Sequence, residues 1–300
     1  MTKQFSLDWA YALGQPLGSA DFRSQPEDFQ VTENLGFELS SAGEHVYLHL
    51  EKRGDNTIWL AKQIARLAVV NPSDVGYCGL KDRHAVTQQW FSVYLPKGAE
   101  PDWRQLNSET VTLLGSTRHV KKLRRGMHTF NHFVIRLRNY SGDNAQLTDR
   151  LEQIKQQGVP NYFGEQRFGH SGNNLIEANG LLVDGVKVKN RQMRGLYLSA
   201  ARSFLFNQVL SYRIANNSWQ TLIAGDVADV VNAAIPTGPL WGRGRLATQT
   251  DCLALEEQVL APWQDWSHGL EHVGLAQERR ALLLPISEFK FALEESFIEL

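Results

Sequence analysis

Residues 45 to 95 read in the order strand, helix, strand, loop, strand, and that order is α+β or α/β and excludes an all-helical chain. His45-Val46-Tyr47-Leu48-His49-Leu50 puts Val46, Leu48 and Leu50 on one face by period-2 alternation. His45 and His49 fall with Tyr47 on the other face, as ordinary strand-surface residues. Gly54-Asp55-Asn56-Thr57 supplies a turn and an N-cap, and Leu60, Ile64, Leu67 and Ala68 then recur at helical spacing up to Asn71-Pro72. Two apolar runs follow, Val75-Gly76-Tyr77-Cys78 and Trp90-Phe91-Ser92-Val93-Tyr94-Leu95. Between them lies Gly79-Leu80-Lys81-Asp82-Arg83-His84-Ala85-Val86-Thr87-Gln88-Gln89. Loops held by rigid strands often carry chemistry, so Asp82 is a candidate catalytic carboxylate. Taken alone, a Lys-Asp-Arg tripeptide is a solvated ion-pair cluster worth about 0–1 kcal/mol.

The rest of the chain extends this mixed helix-and-strand pattern. Asp28-Phe29-Gln30-Val31-Thr32, Thr110-Val111-Thr112-Leu113-Leu114 and Phe133-Val134-Ile135-Arg136-Leu137-Arg138 read as strands. Between the last two runs Arg118-His119-Val120-Lys121-Lys122-Leu123-Arg124-Arg125-Gly126-Met127-His128, basic and without an acidic residue. It suits a phosphate-contacting hairpin through Lys121, Lys122, Arg124 and Arg125. Asn144 to Gln157 reads as a helix with Leu147, Leu151 and Ile154 inward, ended by Gly158-Val159-Pro160. A mostly helical region follows, including Leu198 to Leu210 and a helix around Gln277-Glu278-Arg279-Arg280. Phe289-Lys290-Phe291-Ala292-Leu293 then alternates like a strand returning to the first sheet. The expected domains are therefore 1–157 with 285–300, interrupted by an insertion at 158–284.

Charge and cysteine usage narrow the chemistry. The net charge of −1 leaves nucleic-acid binding to segregated basic patches. Two distant cysteines, Cys78 and Cys252, form no zinc-ligand spacing, and no metal is expected. No stretch approaches the roughly 20 apolar residues of a membrane span. Met1-Thr2-Lys3-Gln4-Phe5-Ser6-Leu7-Asp8 lacks a signal-peptide pattern, so a cytoplasmic protein is expected. Walker, Gly-x-Ser-x-Gly and His-Glu-x-x-His motifs are absent, and Trp241-Gly242-Arg243-Gly244-Arg245 is only a weak Gly-x-Gly. What remains is a carboxylate-led reaction on a polyanion, with Phe29 and Phe133 as aromatic faces on which a base can stack.

At Gly79 to Trp90 the chain resembles the signature of the TruD family of tRNA pseudouridine synthases, a GxKDxxAxTxQ-type motif. Pro26-Glu27-Asp28-Phe29, Gly126 to Phe133, Gly158 to Gly169 and Leu198-Ser199-Ala200-Ala201-Arg202-Ser203 resemble further landmarks in the same order. The resemblance implies a pseudouridine synthase core, a mixed and largely antiparallel sheet with flanking helices, plus an inserted α/β domain. It implies isomerisation of uridine, at position 13 of the tRNA D-arm, without metal or cofactor. Asp82 would be the nucleophile, attacking ribose C1′ or uracil C6. Arg23, where the family often has lysine, would pair with it and hold it charged. Phe29, Asn131 and Phe133 match substrate-contacting positions, and Lys81 and Arg83 would form a charged collar around the pocket. The expected partner is tRNA, with no membrane, and the expected form is a monomer. The alternatives are a tRNA-binding or RNA-folding protein without turnover, and a small-molecule hydrolase that would leave the basic run unexplained. The chain departs from the family pattern between Asp226 and Ala233, where members have a longer insertion. It departs again at its end: Glu294 to Leu300 stands where members have a strand-turn-helix, and Phe297 is expected in the strand before that turn.

Overall fold

The computed structural model describes residues 5–96, 99–286, 288–294 and 297–300. Met1 to Gln4, at the expected leaderless start, and Glu295 and Ser296, in the expected final segment, lie outside the described residues. The chain divides into two compact units, Leu17–Leu147 with Phe289–Leu300, and Met1–Pro16 with Thr148–Glu288.

The first unit is built on a sheet. Its strands are β1 (Gly18–Phe22), β2 (Phe29–Asn34), β3 (His45–Arg53), β4 (Val75–Tyr77), β5 (Val86–Tyr94), β6 (Val111–His119) and β7 (Phe130–Gly142). Helix α1 (Thr57–Leu67) follows β3. Two short strands near the end of the chain, β12 (Ala292–Leu293) and β13 (Phe297–Glu299), join the same sheet. Its order is β12-β13-β7-β2-β5-β3-β6, with β1 also on β7 and β4 also on β5. Only β2 and β5 run parallel among these pairs. The return of the chain's end to the sheet thus occurs mainly at Phe297–Glu299, beside β7.

Alternation explains the packing on β3. Val46, Leu48 and Leu50 meet Leu60, Ala61, Ile64 and Ala65, the apolar stripe of α1, whose N-cap Asn56 accepts from the Ile58 amide at 2.8 Å. The opposite face is also covered: Tyr47 is fully buried with Leu35, Cys78 and Leu123. His45 and His49 are therefore half-buried, not open strand surface. Burial pulls both imidazoles below their ordinary pKa, and His49 stacks on its cross-strand partner Trp90 at 4.5 Å.

The cover over Tyr47 is the basic run, and here the structure corrects the expected hairpin. β6 and β7 are not neighbours; β3, β5 and β2 lie between them. Residues 120–129 cross the sheet as a strap, stitched at successive elements. The Tyr47 hydroxyl on β3 donates to the Lys121 carbonyl at 2.9 Å, and the Leu123 amide donates to Ser92 Oγ on β5 at 2.9 Å. The Gly126 amide donates to the Cys78 carbonyl at 2.8 Å, and the Thr129 amide to the Asn34 carbonyl at 3.0 Å. Gly76 permits this approach, because a Cβ there would lie 2.3 Å from the Leu123 carbonyl oxygen.

The second unit is mainly helical. Helix α2 (Asn144–Gln157) leads into α3 (Asn173–Leu182), the long α4 (Arg191–Ala215), α5 (Thr250–Leu260) and α6 (Gln264–Glu271). Two short antiparallel pairs complete it, β8 (Val159–Pro160) with β11 (Leu283–Leu284), and β9 (Thr237–Leu240) with β10 (Glu278–Ala281). Residues 278–281, expected as part of a helix, are thus a strand. Gly158 closes α2 at φ +72, and a Cβ there would meet the Leu284 carbonyl at 2.6 Å, so entry and exit of the unit lie side by side. The units also differ from the expected boundaries at the start of the chain. Phe5, Leu7 and Trp9 pack on a core of Phe168, Leu198, Phe204 and Trp266, and the Tyr162 hydroxyl donates to the Ala10 carbonyl at 3.1 Å. An apolar segment of this kind goes where it can be buried, whichever residues it precedes in sequence.

Candidate active site

The loop carrying Asp82 joins β4 to β5, and its main chain is bonded along its length. Gln89 Nε2 on β5 donates to the Gly79 carbonyl at 2.6 Å. The Lys81 amide donates to Thr57 Oγ1 at 3.1 Å, and that hydroxyl donates to Gln89 Oε1 at 3.1 Å. Lys52 Nζ, near the end of β3, donates to the Asp82 carbonyl at 3.1 Å. At the far end the Gly54 amide donates to the Ala85 carbonyl at 3.2 Å, and Arg83 Nε donates to the Gly54 carbonyl at 3.2 Å. The backbone is held while the Asp82 side chain remains 41% exposed, which leaves its carboxylate open to a reactant.

Arg23 reaches this carboxylate from the bend after β1. Its Nη2 donates to Asp82 Oδ2 at 3.4 Å, long for a charge-assisted bond, so the contact orients more than it binds. The same guanidinium lies 3.8 Å over the Phe29 ring and 4.9 Å over Phe22. Arg23 holds φ +59, a left-handed backbone rare for a residue with a Cβ, and strain of that kind concentrates at functional positions.

The expected substrate-contacting residues join the same network. Phe29 is only 7% exposed beneath Arg23, whereas Phe133, 5.9 Å from it ring to ring, is 47% exposed. Asn131 Oδ1 accepts from Lys81 Nζ, which also lies 3.0 Å from Glu33 Oε2. Lys81 is therefore no part of a solvent-facing collar: its side chain is 7% exposed, while Arg83 alone of the two is at the surface. Of the four basic strap residues, Lys121, Arg124 and Arg125 are exposed, and Lys122 is half-buried with its Nζ donating to the Ser73 carbonyl. Lys52, Glu33 and Phe22 escaped notice in the sequence, and Gln89, the last residue of the Gly79 motif, carries no assigned role there. Three of them carry a readable signal: Glu33, Lys52 and Gln89 are polar residues in alternating register with buried apolar neighbours on β2, β3 and β5.

Two side-chain clusters among the described residues have the donor types for a metal ion. Glu33, Cys78 and His128 come together behind the loop, but Lys81 already neutralises Glu33, and burial and that carboxylate push the Cys78 thiol up to about 11. Both effects oppose a thiolate ligand. His268, Glu271 and His272 lie at the exposed end of α6, with Glu271 Oε1 engaged by the Trp241 indole at 3.1 Å.

A mixed, largely antiparallel sheet that presents a partly exposed aspartate on a loop between two of its strands, beside an arginine and an exposed aromatic ring, has the architecture of a pseudouridine synthase. The comparisons narrow the class. The family model for tRNA pseudouridine synthase D (TruD) matches residues 10–177 and 173–256, and the chain belongs to that family. It is 56% identical over 286 residues to the tRNA pseudouridine synthase D of Cellvibrio japonicus, covering 94% of this chain and 84% of that protein. The Nitrosococcus oceani protein of the same name is 46% identical over 305 residues, covering 94% and 85%. A crystal structure of a TruD-type protein from Methanosarcina mazei superposes with a TM-score of 0.71 over 96% of this chain and 91% of that one; at 19% identity it speaks to the fold alone.

Proposed function

We propose that this protein isomerises uridine at position 13 of the tRNA D-arm to pseudouridine, with Asp82 as the nucleophile and no metal or cofactor. The observation that carries the residue assignment is the convergence on one loop: Asp82 touches Arg23, Arg23 covers Phe29 beside Phe133, and Lys81 holds Asn131. In the net reaction the N1–C1′ bond is exchanged for a C5–C1′ bond, C5 loses a proton and N1 gains one. The Asp82 carboxylate attacks C1′ of the ribose or C6 of the uracil and is released unchanged at the end. The freed base has to be turned while it stays bound, which requires the nucleotide to be out of the stack. Phe133 offers it a face and Asn131 an amide edge, and Phe29 forms the floor under Arg23. The sheet unit is the catalytic part and the helical unit the inserted domain. The protein acts as a monomer on tRNA in the cytoplasm.

The test is to map pseudouridine in an unmodified tRNA transcript after incubation with the enzyme. Wild type is expected to convert position 13, and Asp82→Asn to lower the rate by on the order of 10⁴-fold or more. Equal conversion by Asp82→Asn defeats the nucleophile assignment. Salt-dependent tRNA binding with no product in the wild type defeats the isomerase reading in favour of a binding protein.

A further inference from the structure

Lys52 touches no reacting atom, yet it is among the largest fully buried side chains of the protein. It is the last but one residue of β3, in the inward register of Val46, Leu48 and Leu50, where an apolar residue would continue the pattern. Lysine is almost never buried to this extent without a partner. Its Nζ donates to two main-chain carbonyls from separate segments, Asp55 at 2.8 Å in the turn before α1 and Asp82 at 3.1 Å in the loop.

We propose that Lys52 is a positioning residue for the reaction, its sealed ammonium fixing the main chain of Asp82 so that the carboxylate meets the substrate in a reactive orientation. The proposal rests on the reading of Asp82 as nucleophile. The charged groups facing the ammonium are Asp55 from the turn and Asp82 and Lys81 from the loop. Its cross-strand partners, Thr87 on β5 and Val111 on β6, are uncharged. Burial pulls the ammonium down to about 8, against the pull of Asp55 and Asp82 and with the repulsion of Lys81. Below that pH the amine is charged and grips both carbonyls through charge-assisted bonds; above it the grip weakens.

Lys52→Met in the full chain keeps the length of the stem and removes the charge. A misplacement of about 1 Å costs on the order of 100-fold, so kcat is expected to fall roughly 10–100-fold with the KM for tRNA changed less than about twofold. Wild-type kcat is expected to fall through a midpoint near pH 8, and that alkaline limb to vanish in Lys52→Met. A variant that keeps kcat within about twofold, or the same limb in both proteins, overturns the proposal. If Lys52→Met does not fold, the wild-type profile decides: a kcat flat from about pH 7 to 9 overturns it, and a fall near pH 8 with unchanged KM and thermal midpoint supports it. Asp82→Asn measured alongside separates the two readings. If Asp82→Asn turns over, the premise fails; if it is inert while Lys52→Met runs at the wild-type rate, only the positioning role fails.

Discussion

Lys81, next to the proposed nucleophile, turns its charge inward, 3.0 Å from a Glu33 carboxylate that is 0% exposed. Glu33 is held from its other oxygen by the Trp90 amide at 3.2 Å, so the carboxylate cannot turn to water if its counter-charge is removed. Breaking one side of such a buried pair costs about 3–5 kcal/mol, because the remaining charge stays desolvated. Against a total stability of about 5–15 kcal/mol, that is a large share. Urea unfolding of Lys81→Met should therefore show a loss of that order, and Glu33→Gln combined with Lys81→Met should recover most of it, since glutamine still accepts from Trp90. Additive losses would mean the two side chains are not coupled. Residues of this kind were only half legible. The motif around Asp82 marked Lys81 as significant, but nothing local says whether a lysine faces water or an acid 48 residues earlier in the chain. Arg23 was legible only through the resemblance, and its left-handed backbone has no signature in Asp21-Phe22-Arg23-Ser24. Glu33 and Lys52 could have been found by asking which polar residues interrupt an inward apolar register, the same question that gives the motif's Gln89 a buried place.

The strap between β6 and β7 gives the element-scale prediction. Three of its basic side chains, Lys121, Arg124 and Arg125, project outward, while Lys122 bonds to the Ser73 carbonyl. Each cation that displaces a counterion from RNA contributes about 0.7–0.9 to the slope of log affinity against log salt. Changing Lys121, Arg124 and Arg125 to Ala together should weaken tRNA binding and lower that slope by about 2–3, whereas Lys122→Ala should leave it nearly unchanged. Binding titrations at several salt concentrations check this; equal effects from the two variants would mean that the orientation of these side chains does not decide their contact with RNA. The composition of the run was plain in the sequence, its path was not. Ten residues between two strands fit a hairpin or a crossing equally well, and what selects the crossing is burial of Leu123 over the sheet and the stitches to Ser92, Cys78 and Asn34. Residues 278–281 escaped for a related reason. Their charged composition reads as helix, but Arg279 is drawn to Thr237 on β9 and to Glu256 on α5, at 3.0 and 2.7 Å. Such long-range partners outweigh local propensity.

Across the molecule, each compact unit contains a buried aspartate gripped by a guanidinium, Asp28 by Arg138 in one and Asp226 by Arg213 in the other. In the sheet unit Asp28, fully buried, receives Arg138 on both oxygens at 2.7–2.9 Å and the Gln25 amide at 3.1 Å. The Arg138 bonds, opposed by burial and aided by Gln25, hold its pKa below the ordinary carboxylate range. In the helical unit burial pushes Asp226 up, but bonds from Arg213, Cys252 and the Ile223 amide outweigh it and the net direction is again downward. A carboxylate depressed in the fold binds fewer protons than in the unfolded chain, so each contributes stability that is complete above the unfolded value of about 3.9 and is lost as pH falls through its lower folded value. The urea midpoint should therefore drop as pH falls below about 4, and hydrogen-exchange protection, taken relative to the intrinsic rate at each pH, should fall in peptides of both units over the same range. Asp28→Asn should remove part of that acid dependence in residues 17–147, and Asp226→Asn in residues 148–288. The two will differ at neutral pH. Arg213 is 1% exposed, so Asp226→Asn strands a buried guanidinium at a cost of about 3–5 kcal/mol, while Arg138, at 28%, can recover hydration and its unit should lose less. Exchange protection that is equal at pH 3 and 5 in both units would show that these two pairs do not set the acid limit of the fold.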